Sequence, residues 1–279
     1  MATTTVIKSP KGPAAEYAKH SFSAYKRCPN ACEYCYLNRG VLSRELGTGK
    51  PELRSCFASD DEVFSKFTKE ILANKEQLIA DGGIFFSFIT DPCLPETFDL
   101  TRRCALSAMM NGIPVTILTK MTGWLHERKY FLDMLELGVK RHLLCVGFTL
   151  TGRDEMEPNA DGNESRIEAM KYLHEQGCLT FASVEPVIDF FSSLDMIEKT
   201  AGCCDLYRIG LRSGVKADYY DNNNLAFFIG QVYGTLIKQS SAAKVYWKES
   251  VRERFKDDGS FRAFETQFCV NADYNVFKP

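Results

Sequence analysis

Three cysteines in one short segment are the residues best suited to chemistry. Residues 28–35 read Cys-Pro-Asn-Ala-Cys-Glu-Tyr-Cys, which places Cys28, Cys32 and Cys35 within eight positions. Thiolates are the usual ligands of iron–sulfur clusters, and a [4Fe–4S] cluster takes four ligands. The triplet therefore predicts a cluster held through three of its irons, with the fourth iron open to another molecule.

The same thiols allow a second interpretation, which is a structural zinc site. Zinc takes four protein ligands in such a site, so a fourth would come from His20, Cys56 or a more distant residue. A zinc- or cluster-stabilised binding module without enzymatic activity is therefore an alternative to an enzyme.

The spacing Cys-x3-Cys-x2-Cys, with Tyr34 just before the third cysteine, resembles the signature of the radical S-adenosylmethionine (SAM) superfamily. The resemblance implies that Cys28, Cys32 and Cys35 bind the cluster and that the amino and carboxylate groups of SAM chelate the fourth iron. It further implies reductive cleavage of SAM to methionine and a 5′-deoxyadenosyl radical, which abstracts hydrogen from the substrate. The Tyr34 position would contact the adenine, and the electron would come from a donor such as flavodoxin or ferredoxin.

A second polar group follows an apolar run that ends in Thr90 and Asp91, directly before a proline. Together with the later pair Thr119-Lys120, this segment resembles the DNA-repair-photolyase-like branch that includes spore photoproduct lyase. The resemblance implies that Ser87, Thr90 and Asp91 contact the methionine end of SAM. It also implies that Thr119 or Lys120 faces the substrate, which makes Lys120 a candidate catalytic residue.

One departure from that branch concerns the hydrogen donor. Spore photoproduct lyase uses a cysteine just ahead of the acidic turn, where this sequence has Phe88 and Ile89. The nearest thiol is Cys93, which is a candidate catalytic hydrogen donor or else a plain loop cysteine, because reactivity depends on the surroundings of a thiol. Repair of the spore photoproduct itself is therefore not expected.

Further polar residues stand at the ends of later apolar runs. Thr149 ends one run, and Arg166 lies in the helix that follows, at a place where relatives have an arginine that helps to bind SAM. Glu185 ends another run and would accept hydrogen bonds from a ribose or pair with Arg208 or Lys248. We expect Thr149, Arg166 and Glu185 to bind the cofactor. The Ser-x-Glu-Pro segment around Glu185 and the Trp-Lys ending at Lys248 are also similar to a phage-encoded radical SAM-like family of unassigned function.

The pattern along the chain predicts the elements that position these residues. Short apolar runs alternate with segments of helical period, as in repeated βα units with a parallel sheet. We predict an α/β fold, a partial (β/α)6 TIM-like barrel, with chemistry where the strands end. The predicted strands are Phe22–Lys26, Ile84–Ile89, Val115–Thr119, Leu143–Leu150, Leu179–Val184, Leu206–Leu211 and Lys244–Trp247.

This pattern suggests a division of the 279 residues into three parts. Residues 1–20 are expected to be a mobile N-terminal segment, and residues 21–250 form the barrel. Residues 251–279 are a C-terminal extension that packs on the barrel or caps it. Residues 60–80 have an apolar stripe and are predicted to form one long helix between the first two strands.

Composition limits the function classes. A net charge of −2 and a pI near 6.1 exclude a globally basic nucleic-acid binder, although a local basic groove is compatible with both values. No apolar run reaches the roughly 20 residues of a membrane span, and the start lacks the apolar stretch of a secretory signal. Eleven cysteines, an odd number, favour free thiols. We expect a cytoplasmic protein with no membrane contact.

The leading functional hypothesis is a radical SAM enzyme, of the lyase or base-modifying type, that repairs or modifies a nucleic-acid base. A radical SAM enzyme that acts on a small molecule or a peptide is the alternative within the same chemistry. The four histidines are isolated in the sequence, which gives a zinc hydrolase or deaminase little support.

Overall fold

The computed structural model describes residues 5–41, 43–126, 128–259 and 261–278. Strands and helices alternate along this part of the chain. The strands are β1 Ile7–Lys8, β2 Ser21–Phe22, β3 Tyr25–Lys26, β4 Glu52–Leu53, β5 Ile84–Phe86, β6 Val115–Thr119, β7 Leu144–Thr149, β8 Leu179–Val187, β9 Leu206–Leu211 and β10 Lys244–Trp247. The α-helices are α1 Ser43–Leu46, α2 Asp60–Ala73, α3 Lys75–Ala80, α4 Phe98–Met110, α5 Arg128–Arg141, α6 Asn163–Glu175, α7 Phe190–Thr200, α8 Asn222–Lys238 and α9 Glu249–Arg252.

The main sheet has the order β1-β2-β5-β6-β7-β8-β9-β10. Within this sheet, neighbouring strands pair in parallel from β2 through β5, β6, β7, β8 and β9 to β10. At one edge, β1 lies antiparallel to β2. A helix follows each of the strands β5 to β9 before the next one begins, so the sheet is built from βα units. The predicted partial (β/α)6 barrel with an extra strand is confirmed.

The first predicted strand, Phe22–Lys26, is in fact two strands of different sheets. Ser21–Phe22 joins the main sheet as β2, whereas Tyr25–Lys26 pairs antiparallel with β4. The backbone N–H of Arg54 donates to the carbonyl of Ala24 at 3.1 Å, which draws the chain out of the main sheet at that point. The cysteine segment therefore begins on a small separate sheet above the end of β2.

The predicted helix over residues 60–80 is divided at Asn74 into α2 and α3, because Asn74 has non-helical backbone angles (φ −120°, ψ 19°). The N-cap of α2 is Ser59, whose hydroxyl accepts a hydrogen bond from the Glu62 N–H at 3.2 Å. Buried Val63 and Phe67 hold α2 to the sheet. No described helix is both long and apolar enough to cross a membrane.

Strand residues alternate between the helix side of the sheet and the barrel interior. On β8, Ala182 and Val184 belong to the core under the helices, whereas Phe181 belongs to an interior cluster. The buried members of that cluster are Phe85, Cys145, Phe181, Leu206 and Tyr246. Continuing the same alternation towards the carboxyl ends of the strands leads from apolar residues to Lys120, Thr149, Glu185 and Lys248. The interior is therefore apolar in its lower part and polar at the mouth.

Both ends of the described chain contact this interior. Tyr17 from the N-terminal segment packs against the interior cluster, and so do Val270, Tyr274 and Phe277 from the C-terminal extension. Residues 1–4 lie outside the described residues. The mobility expected of residues 1–20 stays a prediction.

Gly147 of β7 gives a test of how tightly the interior is packed. A Cβ at this position would lie 2.1 Å from the ring of Phe181, so Gly147→Ala should overpack the interior and lower the free energy of unfolding by about 1–3 kcal/mol. The measurement is urea unfolding followed by circular dichroism.

Gly230→Ala is the matched control for this substitution. Gly230 lies on the exposed face of α8, and a Cβ there meets nothing within 4 Å. The change should raise stability by about 0.5–1 kcal/mol, because alanine is the better helix former. Equal effects of the two substitutions would contradict the close contact inside the barrel.

Candidate active site

The cysteine loop lies above the carboxyl ends of the strands and is fixed on both sides. The Cys28 carbonyl accepts a hydrogen bond from the Gly49 N–H at 3.1 Å, and the Glu33 N–H donates to the Met156 carbonyl at 2.9 Å. The Asn159 side chain also donates to the Pro29 carbonyl at 2.8 Å. The loop that follows β7 therefore holds the cysteine loop in place.

The thiols are largely withdrawn from water. Cys32 is 7% exposed, and Cys28 and Cys35 are partly buried. Burial raises the pKa of Cys28 to about 11, and the nearby Asp91 carboxylate adds to this shift. Burial also raises the pKa of Cys32, while the Lys120 ammonium group opposes the increase. Binding of a metal centre would therefore release protons from these thiols.

His20 and Cys56, the other residues considered as zinc ligands, have defined surroundings in the structure. Among the described residues, no three His, Cys, Asp or Glu side chains converge as ligands of one metal ion. His20 instead contacts Asp81, with 2.8 Å between Nε2 and Oδ2, and Cys56 is exposed. A structural zinc site needs four ligands around one ion, and His20 contacts Asp81 instead.

Asp91 joins the ends of two strands to the cysteine loop. Its Oδ1 accepts hydrogen bonds from the Thr119 hydroxyl (2.6 Å) and the Cys93 N–H (3.0 Å). Its Oδ2 accepts from the Lys120 N–H (2.7 Å) and the Asn30 side chain (3.2 Å). With four donors the carboxylate is satisfied by protein groups, so Asp91 has a scaffolding role in this structure.

The other two polar residues of the same turn also make protein contacts. The Thr90 hydroxyl donates to the Arg27 carbonyl at 2.7 Å, and the Ser87 hydroxyl donates to the Thr90 carbonyl at 2.8 Å. These bonds fix the segment that leads into the cysteine loop. The predicted SAM contacts of Ser87, Thr90 and Asp91 stay predictions.

Lys120 extends into the barrel mouth between the cysteine loop and β7. Its ammonium group donates to the Thr149 hydroxyl at 3.2 Å and lies 5.8 Å from the centre of the Tyr34 ring. Burial would lower the pKa of Lys120, but the neighbouring Cys32 and Glu157 raise it, and the net shift is upward. Lys120 therefore carries a positive charge beside the cysteines.

Arg166 and Glu157 form an ion pair that is fully out of water. Arg166 Nη1 lies 2.7 Å from Glu157 Oε2, and neither side chain has exposed surface. The guanidinium group also donates to the carbonyls of Thr149 (2.8 Å) and Asp161 (2.7 Å). Tyr34 donates its hydroxyl hydrogen to Glu157. The pair thus connects the cysteine loop with the start of α6.

Three buried polar atoms around the cysteine loop lack a hydrogen-bond partner in the described part of the chain: Nη2 of Arg166, Oδ1 of Asn30 and Nε of Arg27. Arg27 Nε lies 3.6 Å from the Glu52 carboxylate, so the other two atoms are the ones that need a partner. Buried polar atoms are almost always hydrogen-bonded, so such exceptions indicate a missing partner. A carboxylate would satisfy the Arg166 donor, and the N–H of an amino group would satisfy the Asn30 acceptor. The residues present therefore fit the amino-acid end of SAM beside a cluster.

Glu185 also lies at the mouth, on β8, the strand that pairs with β7. Both of its oxygens lie 2.8 Å from Lys248 Nζ, and Oε2 accepts a hydrogen bond from the Tyr17 hydroxyl at 2.6 Å. Gly210 on the neighbouring strand leaves space for the pair, because a Cβ there would lie 3.0 Å from both side chains. The predicted contact of Glu185 with a ribose stays a prediction.

The Cys93 side chain lies under the helices, although the Cys93 N–H donates to Asp91. It is 3% exposed and belongs to the core under the helices, where burial raises the pKa of its thiol well above the ordinary value. Phe88, in contrast, packs against the interior cluster and stacks on Phe85 with 4.4 Å between ring centres. The placement gives the hydrogen-donor role of Cys93 no support.

The sequence analysis did not select Glu157 or Tyr17 as site residues. Glu157 has a local signal, since it stands directly before a proline in the loop after a strand, as Glu185 does. Tyr17 has no comparable signal, because its place in the barrel depends on the path of the whole N-terminal segment.

The buried ion pair leads to a prediction on stability. Glu157→Ala leaves the Arg166 charge buried without its partner, which should lower the free energy of unfolding by about 3–5 kcal/mol. Urea unfolding of the metal-free protein measures the change. The matched control is Glu155→Ala two residues earlier, which removes an exposed pair with Arg153 and should cost less than about 1 kcal/mol. Similar losses for both variants would contradict the assigned role of the buried pair.

No protein-family model matches the sequence, but a curated protein is similar to it. The relative is an uncharacterized protein of Methanocaldococcus jannaschii, which is 27% identical over 175 residues. The matched part covers 61% of this chain and 61% of the relative.

Solved structures resemble the whole barrel. SuiB from Streptococcus suis bound to S-adenosylmethionine matches 91% of this chain and 56% of its own length, with a TM-score of 0.58 and 14% identity. Spore photoproduct lyase complexed with dinucleoside spore photoproduct matches 88% of this chain and 81% of its own, with a TM-score of 0.64 and 12% identity. SuiB bound to its precursor peptide SuiA matches 93% and 62%, with a TM-score of 0.55 and 11% identity. This chain therefore has the partial TIM-barrel fold of the radical SAM enzymes.

Proposed function

We propose that this chain is a radical SAM enzyme. The observation that carries the proposal is the buried, unpartnered Nη2 of Arg166 beside a loop with three closely spaced cysteines, at the mouth of a barrel of this fold. A guanidinium N–H without a partner, beside cysteines that can bind iron, fits a cofactor that has a carboxylate and binds to a cluster.

We assign different residues to the binding of the cluster and of SAM. Cys28, Cys32 and Cys35 would hold the [4Fe–4S] cluster, while Arg166 and Lys120 would hold the carboxylate of SAM. When bound, the cluster supplies the electron that cleaves SAM to methionine and a 5′-deoxyadenosyl radical, which takes hydrogen from the substrate. Flavodoxin or ferredoxin is the class of electron donor that we propose.

The protein contributes orientation and exclusion of water. The chain of contacts Tyr34–Glu157–Arg166 fixes the guanidinium group relative to the cysteine loop. Phe85 and Phe88 line the interior with apolar surface, which keeps water and stray hydrogen donors from a reactive species. Glu185 is a further acceptor at the mouth, and we assign it to the ribose.

We further propose that the substrate is a nucleic-acid base that is repaired or modified. The ring of Phe88 is partly exposed at the mouth and already stacked on Phe85, so it offers a flat apolar surface to a base. Spore photoproduct lyase, which has this fold, is seen with a dinucleoside. A peptide or a small molecule is the second substrate class, since SuiB is seen with a peptide.

The test of the chemistry is anaerobic reconstitution with iron and sulfide, followed by dithionite and SAM. The wild-type protein should bind about four irons, as one cluster requires, and release 5′-deoxyadenosine. Cys32→Ala should lose iron and SAM cleavage together but keep its thermal unfolding transition, because the core is built without the metal. Cys56→Ala, an exposed cysteine outside the triplet, is the control and should behave as wild type. One tightly held zinc without SAM cleavage would overturn the proposal.

The substrate class is tested in the same assay. Single-stranded DNA, RNA and unrelated peptides are added in parallel, and 5′-deoxyadenosine is measured above the uncoupled background. Stimulation by a nucleic acid, lost in Phe88→Ala but kept in Phe191→Ala, supports the base. Phe191 is an aromatic residue of α7 that is 85% exposed and does not belong to the interior cluster. Stimulation by a peptide only would favour the second class.

A further inference from the structure

The barrel has an open side that the N-terminal segment crosses. The sheet ends at β1 on one side and at β10 on the other, and no described residues of these two edges pair with each other. Ile7 and Lys8 pair with β2 at the first edge. Residues 12–17, here called the N-terminal latch, then contact strands β8 to β10 on the other side.

The latch is attached to the second edge by several hydrogen bonds. Lys248 Nζ donates to the Pro13 carbonyl at 3.1 Å, and Arg208 donates to the Glu16 carbonyl. The Glu16 carboxylate accepts from the Tyr246 hydroxyl at 2.8 Å. Pro13 is exposed, so the latch lies at the surface and covers the opening from outside.

Tyr17 is the residue of this segment that enters the barrel. Its hydroxyl group lies 2.6 Å from both the Ser183 hydroxyl and Glu185 Oε2. Its ring lies 5.5 Å from Phe85 and 5.9 Å from Phe88, between ring centres. Burial and the Glu185 charge raise the pKa of Tyr17 well above its ordinary value, so the phenol keeps its proton for the bond to Glu185.

The contacts of Glu185 explain why this bond matters. Lys248 approaches Glu185 from one side, and its ammonium group also lies 4.6 Å from the centre of the Tyr17 ring. Tyr17 is the second described side chain that donates to this carboxylate. The phenol thus gives the carboxylate a second donor beside the buried Lys248 ammonium group and fixes its orientation.

We propose that Tyr17 is a positioning residue of the reaction chamber, with two effects. Its ring closes the open side of the barrel, and its hydroxyl orients Glu185 towards the ribose of SAM. The second effect rests on the proposed function, whereas the first is a property of the fold.

The accessibility of the Cys145 thiol measures how well Tyr17 closes the open side of the barrel. Cys145 is 1% exposed and belongs to the same interior cluster as Tyr17. In the reconstituted protein, alkylation of Cys145 by iodoacetamide is followed by mass spectrometry of its peptide. Tyr17→Ala should raise this rate about tenfold, because the rate follows the open population. Tyr17→Phe keeps the ring and should leave the rate unchanged. Cys104, buried under the helices, is the internal reference and should not respond.

The affinity for SAM reports on the hydroxyl. Equilibrium dialysis of the reconstituted proteins should give a dissociation constant about tenfold higher for Tyr17→Phe than for wild type, because one charge-assisted hydrogen bond is lost. The matched control is Tyr207→Phe, which removes a buried hydroxyl bonded to Thr200 on the helix side of β9 and should bind SAM as wild type does.

Each of the two measurements tests one of the two proposed effects of Tyr17. Protection of Cys145 in Tyr17→Ala would overturn the closing role, and wild-type affinity in Tyr17→Phe would overturn the orienting role. If the wild-type protein itself binds no SAM, the proposed function and the orienting role both fall. The Cys145 rates then still decide whether the latch closes the barrel.

Discussion

The Asp91 carboxylate holds together three segments on which the site depends. It accepts hydrogen bonds from the cysteine loop, from its own turn after β5, and from both residues at the end of β6. Hydrogen bonds to an ionised carboxylate are stronger than those between neutral groups, so four of them make a rigid junction. The positions of the cysteines relative to Lys120 follow from this junction, because Lys120 shares it through its backbone.

Above the junction, buried charges are arranged in pairs that reach across elements. Glu157 pairs with Arg166 in the loop and helix after β7, and Glu185 of β8 pairs with Lys248, which follows β10. Burying an ion pair seldom adds net stability, since the loss of hydration offsets the attraction. The gain is geometric instead, because each pair holds a polar group at a defined place above an apolar interior. That arrangement suits chemistry that needs few polar anchors in a dry cavity.

The sequence predicts those features that are written in local patterns. Alternation of apolar residues predicts the strands, and the spacing of Cys28, Cys32 and Cys35 predicts a set of cluster ligands. Local patterns do not show which residues distant in the chain become contact partners. That Asp91 is saturated by groups up to 61 residues away, that β2 and β3 join different sheets, and that Cys93 lies under the helices all depend on packing. Thus the site residues are recognisable, but their individual roles are not.

The two edges of the sheet are covered by segments from outside the barrel strands. An uncovered edge strand exposes unpaired backbone groups, and proteins cover such edges with other segments. Here Val245 of β10 bonds to Phe268 and Val270 of the C-terminal extension, while the N-terminal segment pairs with β2 and carries Tyr17 inwards. A fragment limited to residues 21–250 would therefore lose the covering of both edges and a donor to Glu185. The chamber at the mouth is thus completed by residues near the two ends of the chain, although its chemistry is set by the loops after the strands.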